Sequence, residues 1–241
     1  MLKKTLPILL IVILINFSAC SISYNKEKDV VNGLYEKKVI TSNLTIETLD
    51  NFNNLYSQGS GVVFHKENNN YYALTNNHVL YGSKDYYVLD CYGNAFSAVV
   101  VYNDENYDLA ILRFISKDRD YFVPKLSKTD PTEDTPIISI GSPNGLINAI
   151  TLGSVGKYES ISAVDKDSNL SEVGNKIAFD VMSHDAKIDA GSSGGAIFNY
   201  QYEICGINFA SGVNSNKEFV SGYAIQPSKI FEFLSIAQFE I

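Results

Sequence analysis

The sequence predicts an all-β protein, a sandwich or a barrel, on three observations. Short β-rich runs recur at fairly even spacing, with turn signals between them. They do not alternate with long helical patterns, which argues against a parallel α/β sheet. One amphipathic stretch with helical spacing closes the chain. Of 241 residues, 45% are apolar and 19% charged, so the chain can bury a sizeable core and reads as neither coiled coil nor disordered.

The N-terminus is read first. Lys3 and Lys4 precede an apolar run from Leu6 to Ile15, interrupted by Pro7, and Phe17-Ser18-Ala19-Cys20 follows. A positive start, an apolar centre and small residues before a cysteine form the layout of an export signal. The run is too short to span a bilayer comfortably. Its ending resembles the lipobox of bacterial lipoproteins, with Phe17 where Leu is usual. Residues 1–19 are therefore expected to be a lipoprotein signal peptide, with Cys20 as the lipidated residue. The alternatives are a secretory signal with an incidental cysteine and an uncleaved anchor. Residues 20–38, rich in Lys, Glu and Asn, are expected to be a polar tether from the extracytoplasmic face of the cell membrane to a domain over 39–241. Without Lys3 and Lys4 the chain has 17 basic and 27 acidic residues, a formal charge of −10. That balance, with no basic stripe, disfavours nucleic acid as a partner.

Strands are expected at residues 61–65, 71–75, 86–91, 95–102, 109–114, 137–140, 177–181, 196–198 and 204–210. Glu67-Asn68-Asn69-Asn70, Tyr92-Gly93-Asn94 and Asn199-Tyr200-Gln201 mark turns. Pro227 suits the first turn of the closing helix, whose apolar positions are Ile230, Phe231 and Leu234. Cys91 and Cys205 lie in apolar runs and read as buried thiols, although export would permit a bridge. Neither has the spacing of a metal site, and the chemistry below requires no cofactor.

The strongest chemical signal is Asp189-Ala190-Gly191-Ser192-Ser193-Gly194-Gly195-Ala196. A nucleophilic serine needs an exposed hydroxyl on a rigid turn, backbone N–H groups aimed at the developing oxyanion, and nothing bulky in the path of the substrate. Glycines on both sides of Ser193 meet those needs, and the Gly191 and Ser193 amides become the expected oxyanion donors. Alone, the pattern could also be a Gly/Ser-rich loop. The hydroxyl further requires a base. Among His65, His78 and His184, His78 ends a β-type run, Ala73-Leu74-Thr75-Asn76-Asn77, that can hold an imidazole rigidly. His65 reads as a solvated loop residue; His184, nine residues before Ser193, could line the substrate cleft but reads first as ordinary loop packing. Asp108, directly before the apolar Leu109-Ala110-Ile111-Leu112, is the expected carboxylate that orients His78. A strand-entry Asp capping a turn is its bland alternative.

The order His78, Asp108, Ser193 is that of chymotrypsin. Together with Gly59-Ser60-Gly61-Val62-Val63, Ile140-Gly141-Ser142-Pro143-Asn144-Gly145, Thr151-Leu152-Gly153-Ser154-Val155, Ile204-Cys205-Gly206-Ile207-Asn208 and Gly222-Tyr223-Ala224-Ile225, the chain resembles the protease domain of the HtrA/Deg group of trypsin-like serine proteases. The resemblance runs from about residue 55 to 235. It implies two six-stranded antiparallel β-barrels with a C-terminal helix, over about 39–125 and 126–241, and a site in the cleft between them. It implies hydrolysis of protein or peptide substrates through an acyl-enzyme, and an edge strand at Asn208, Phe209 and Ala210 that pairs with extended substrate. Ser192 stands where the group usually has Asn, and no PDZ module follows before Ile241. Lys187 lies near the floor of the primary specificity pocket of such enzymes, where a cation would favour acidic side chains. Relatives often form trimers, and no residue here demonstrates one. The rival readings are a catalytically silent peptide-binding lipoprotein and an esterase or self-processing enzyme.

Overall fold

The computed structural model describes residues 21–50, 52, 54–160 and 177–239. Residues 1–20, and with them the expected signal peptide and the expected lipidation site Cys20, lie outside the described residues. The strands are β1 (Asn43–Leu49), β2 (Leu55–Glu67), β3 (Asn70–Thr75), β4 (Asp85–Leu89), β5 (Ala95–Asp104) and β6 (Leu109–Ile115), then β7 (Pro136–Gly141), β8 (Ala149–Ser160), β9 (Asp180–His184), β10 (Ala196–Phe198), β11 (Ile204–Val213) and β12 (Phe219–Ile225). Helix α1 covers Ser21–Glu36 and helix α2 covers Pro227–Ile236.

Two closed antiparallel barrels result. The first runs β1-β2-β3-β6-β5-β4 around its circumference, and the second runs β7-β8-β9-β12-β11-β10, the same winding repeated. In the first barrel, period-two alternation turns Leu44, Ile46, Val63, Tyr71, Ala73, Val88, Leu112 and Phe114 into one interior. The opposite faces of the same strands are also apolar. Val62, Leu74, Leu109 and Ile111 meet Ile138, Ile140, Ala196, Phe198 and Ile207 of the second barrel in a shared core that α2 covers with Ile230, Phe233 and Leu234. This shared core locks the barrels together and fixes the cleft above it.

Several expectations are corrected. Residues 21–38 are not a loose polar tether: Leu34 is fully buried and Val30 nearly so, four residues apart on one face of α1. Tyr202 from the β10–β11 turn donates to the Val30 carbonyl at 3.0 Å and lies against Gly33, where any side chain would collide with its phenol. The polar composition of this segment concealed a three-residue apolar contact. His65 is on β2, not in a loop, and its ring packs edge-on against Phe239 at 5.2 Å. Cys91 is half-buried in the turn after β4, while Cys205 is buried on β11, and both are free thiols. The strand expected at 177–181 starts at Asp180. Strands β1, β8 and β12 went unread: glycines break the apolar pattern in β8 and β12, and β1 mixes Asn, Thr and Glu with Leu and Ile. In α2 the inward aromatic is Phe233, not Phe231. Among the described residues, no helix is long and apolar enough to cross a membrane.

Candidate active site

The site is built where the ends of β3 and β6 in the first barrel face the loop before β10 in the second. Strand β3 ends at Thr75, and a 3-10 turn over His78–Leu80 follows. Asp108 sits just ahead of β6, 1% exposed, with φ +49°. A left-handed conformation is uncommon for a side chain other than glycine, with Asp and Asn the best tolerated. Neighbours hold it: the Asn76 amide and the Asn77 backbone N–H both donate to the Asp108 carbonyl, at 2.9 and 3.2 Å. The carboxylate then grips His78 at two points. Oδ1 accepts from the His78 backbone N–H at 2.9 Å, and Oδ2 meets the imidazole Nδ1 at 2.7 Å. With Nδ1 bonded to the buried carboxylate, Nε2 is the nitrogen left available as a base.

The nucleophile loop is tied to the first barrel through Ser60. Its N–H donates to the Ser193 carbonyl at 2.7 Å, its hydroxyl donates to the Gly191 carbonyl at 2.6 Å, and the same hydroxyl accepts from Ser142 N–H at 2.8 Å. Gly191 and Gly194 have φ +92° and +85°, and a side chain at Gly194 would collide with the Ser60 carbonyl and the Thr75 hydroxyl. Both glycines are therefore fixed by backbone geometry. The Ala190 carbonyl accepts from Asn144 N–H at 2.9 Å. Among the described residues, the N–H groups of Gly191 and Ser193 donate to no protein acceptor. Ser192, in place of the Asn expected from the resemblance, is buried, and its hydroxyl accepts from Asp189 N–H at 3.1 Å.

His78 and Ser193 lie on the same side of the molecule, since a side chain at Gly59 would meet both Val79 and the Ser193 carbonyl. The Ser193 hydroxyl bonds the Phe209 carbonyl at 3.4 Å and makes no hydrogen bond to the imidazole in this conformation.

A family model, described as a trypsin-like peptidase domain, matches residues 59–207. The chain belongs to this family. It is 34% identical to the serine protease Do-like HtrA of Bacillus subtilis over 192 residues, covering 76% of this chain and 40% of that protein. It is 30% identical to the serine endoprotease DegS of Haemophilus influenzae over 193 residues, covering 80% of this chain and 52% of that protein. The chain thus spans about half or less of these two relatives. A crystal structure of a serine endoprotease from Yersinia pestis superposes with a TM-score of 0.64 at 23% identity, covering 82% of this chain and 63% of that one, a likeness of fold.

Within this trypsin-like domain the remaining expected residues fall as follows. Phe209 and Ala210 lie on β11 beyond the reach of β10, so among the described residues one edge of the strand has no partner strand there. Asn208 does not belong to that edge: its N–H donates to the Gly195 carbonyl and its carbonyl accepts from Gly194 N–H. Lys187 is exposed between the buried Ala186 and Ile188, and among the described residues it carries no ion pair. Sequence reasoning missed Ser60, although it noted the Gly59-Ser60-Gly61 motif, and it missed the part that Asn76 and Asn77 play. It also read His184 as loop packing, whereas this residue closes β9 and is buried.

Proposed function

We propose that this chain is an exported serine endopeptidase, tethered to a membrane by a lipid on Cys20, that degrades extracytoplasmic proteins. Ser193 attacks the scissile carbonyl, and His78 takes its proton through Nε2 and returns it to the leaving amine. Asp108 fixes the imidazole and favours its charged form, while the Gly191 and Ser193 amides receive the oxyanion. The observation that carries this reading is the two-point grip of Asp108 on His78, opposite a glycine-framed serine whose own N–H and that of Gly191 donate to no acceptor among the described residues. Substrate in extended form would lie along the free edge of β11 at Phe209 and Ala210.

The silent peptide-binding reading is favoured by one observation, the turn of the Ser193 hydroxyl toward Phe209. A serine hydroxyl has three staggered positions about χ1, and this is one of them. Labelling with a fluorophosphonate decides between the two. Wild type should be labelled at Ser193 and should digest casein, and Ser193→Ala should do neither. An unlabelled wild-type protein would leave the silent reading standing. Mass spectrometry of the protein from its native host should find an acylated Cys20 at the mature N-terminus, and an unmodified cysteine there would remove the tether from the proposal.

A further inference from the structure

An oxyanion hole works only if its donor peptides are turned the right way. A trans peptide is planar, so the Gly191 N–H points opposite to the Ala190 carbonyl. That carbonyl accepts from Asn144 N–H at 2.9 Å, on the loop between β7 and β8. The next carbonyl along, that of Gly191, accepts from the Ser60 hydroxyl at 2.6 Å. Both carbonyls around the glycine are therefore held from outside the nucleophile loop. Gly191 depends on such holding, because at φ +92° it has no Cβ to resist rotation of the peptides on either side.

The two holds meet at one hydroxyl. Ser60 Oγ also accepts from Ser142 N–H at 2.8 Å, two residues before Asn144, and so places the start of the loop that supplies Asn144. Ser60 and Ser142 have no exposed surface. A side chain at Gly191 would meet the Ser142 carbonyl, Pro143 and Asn144 N, so this loop lies directly on the donor peptide. Asn43 supports the loop from a second point on the first barrel. It is buried on β1, beside Val62 of β2, and its amide donates to Ser142 Oγ at 3.3 Å and to Asn148 Oδ1 at 2.9 Å.

We propose that Ser60, backed by Asn43, is a positioning residue of the oxyanion hole. The first barrel thereby sets the direction of a donor that belongs to the second, without touching substrate. Loss of the hydroxyl would leave the Gly191 carbonyl and the Ser142 N–H without this partner, and the Ala190–Gly191 peptide would be free to turn its N–H away from the cleft. The Ser60 N–H bond to the Ser193 carbonyl is separate from this role, since it belongs to the backbone. This inference rests on the endopeptidase reading.

The test is kinetic, on a peptide substrate. Ser60→Ala should lower kcat by about 10²-fold, the size of effect seen when one oxyanion donor is lost, with KM nearly unchanged. The acid limb of the kcat/KM profile, set by His78, should not move, because the base is untouched. Ser60→Thr, which keeps the hydroxyl, should recover most of the loss. A Ser60→Ala enzyme with wild-type kcat overturns the proposal, and so does one whose KM rises while kcat holds or whose acid limb shifts. A Thr variant that melts with wild type yet is as slow as Ala overturns the role of the hydroxyl. Should Ser60→Ala not fold, Asn43→Ala takes its place: it should lower kcat about three- to tenfold at the same KM, the scale of one hydrogen bond, and an unchanged kcat overturns the proposal. Wild-type protein that neither reacts with fluorophosphonate nor digests casein removes the endopeptidase reading itself; wild type that does both, beside a fully active Ser60→Ala, removes this inference alone.

Discussion

The two barrels share a winding and differ in what fills them. The first is packed with rings: Tyr71 stacks on Phe114 at 5.6 Å, Tyr121 meets Tyr71 edge-on at 5.0 Å, and Phe96 leans on Phe114 at 5.5 Å. The second is lined by smaller aliphatic side chains and then by Ser139, Asn208 and His184 toward its mouth. A barrel filled to its ends offers its rim as a fixed mount, and His78 and Asp108 stand on that rim. The second is polar toward one end, where Asn208 also ties to the Ser193 loop through Gly194 and Gly195. Two copies of one topology thus differ in how their interiors end.

The largest effect should come from removing one residue of each barrel. His78→Ala and Ser193→Ala should each lower turnover by about 10⁴–10⁶, and the double variant should be hardly worse than either, because the two act as one unit. Thermal unfolding of these variants should stay close to that of wild type. If the double variant multiplied the single losses, the barrels would not share one catalytic step.

Next, the contrast in packing should appear in denaturant unfolding. Phe114→Ala removes a fully buried ring from the first barrel and should cost about 3–5 kcal/mol. Cys205→Ala, in the second barrel, deletes a single sulfur and should cost about 1 kcal/mol. Equal losses would erase the distinction drawn between the two interiors.

The polar mouth should have a signature in pH. Unfolded, His184 takes up a proton near its ordinary value of 6.5; folded, burial holds it at about 4. The unfolded state therefore binds more protons in that interval, and acid favours unfolding. Stability from this residue is fully present above about pH 6.5 and is lost as pH falls toward 4, with a total on the order of 3 kcal/mol. Asp185, Glu133 and Asp134 line the outer cleft with His184. Urea curves of wild type and His184→Gln, measured from pH 7 to 4.5, isolate the histidine: wild type should lose stability faster than the variant.

The smallest effect concerns the edge of the aromatic barrel. Tyr121 donates to the buried Asp90 at 3.0 Å, and the carboxylate also accepts from Tyr92 N–H and Asn94 N–H. Because those other bonds remain, Tyr121→Phe should cost only about 1 kcal/mol, read as a shift in the urea midpoint.

These contrasts also explain what was legible in the sequence. His78, Asp108 and Ser193 could be found because each sits in a short local pattern, and the all-β class could be found from short runs between turns. The helical N-terminus was not legible. Its burial depends on Val30, Gly33 and Leu34 meeting Tyr202, a contact across 172 residues of sequence. His184 was hidden for the same reason, since nothing near position 184 announces Asn208 or the bare Cα of Gly222. Asn208 was assigned to the substrate edge because sequence order cannot tell which strand residues already bond within the fold. Local chemistry was readable in the chain, and long-range pairing was not.

Helix α1 finally sets a working height. Sixteen residues rising 1.5 Å each span about 24 Å, and the clamp at Gly33 and Leu34 fixes the far end of that rod to the second barrel. Were a lipid held at Cys20 as proposed, the next residue in sequence would already be the start of this helix, and the rod would set the height of the catalytic body. The cleft would patrol a layer only a few nanometres deep, meeting polypeptides as they emerge at the surface and leaving those adrift in the bulk untouched.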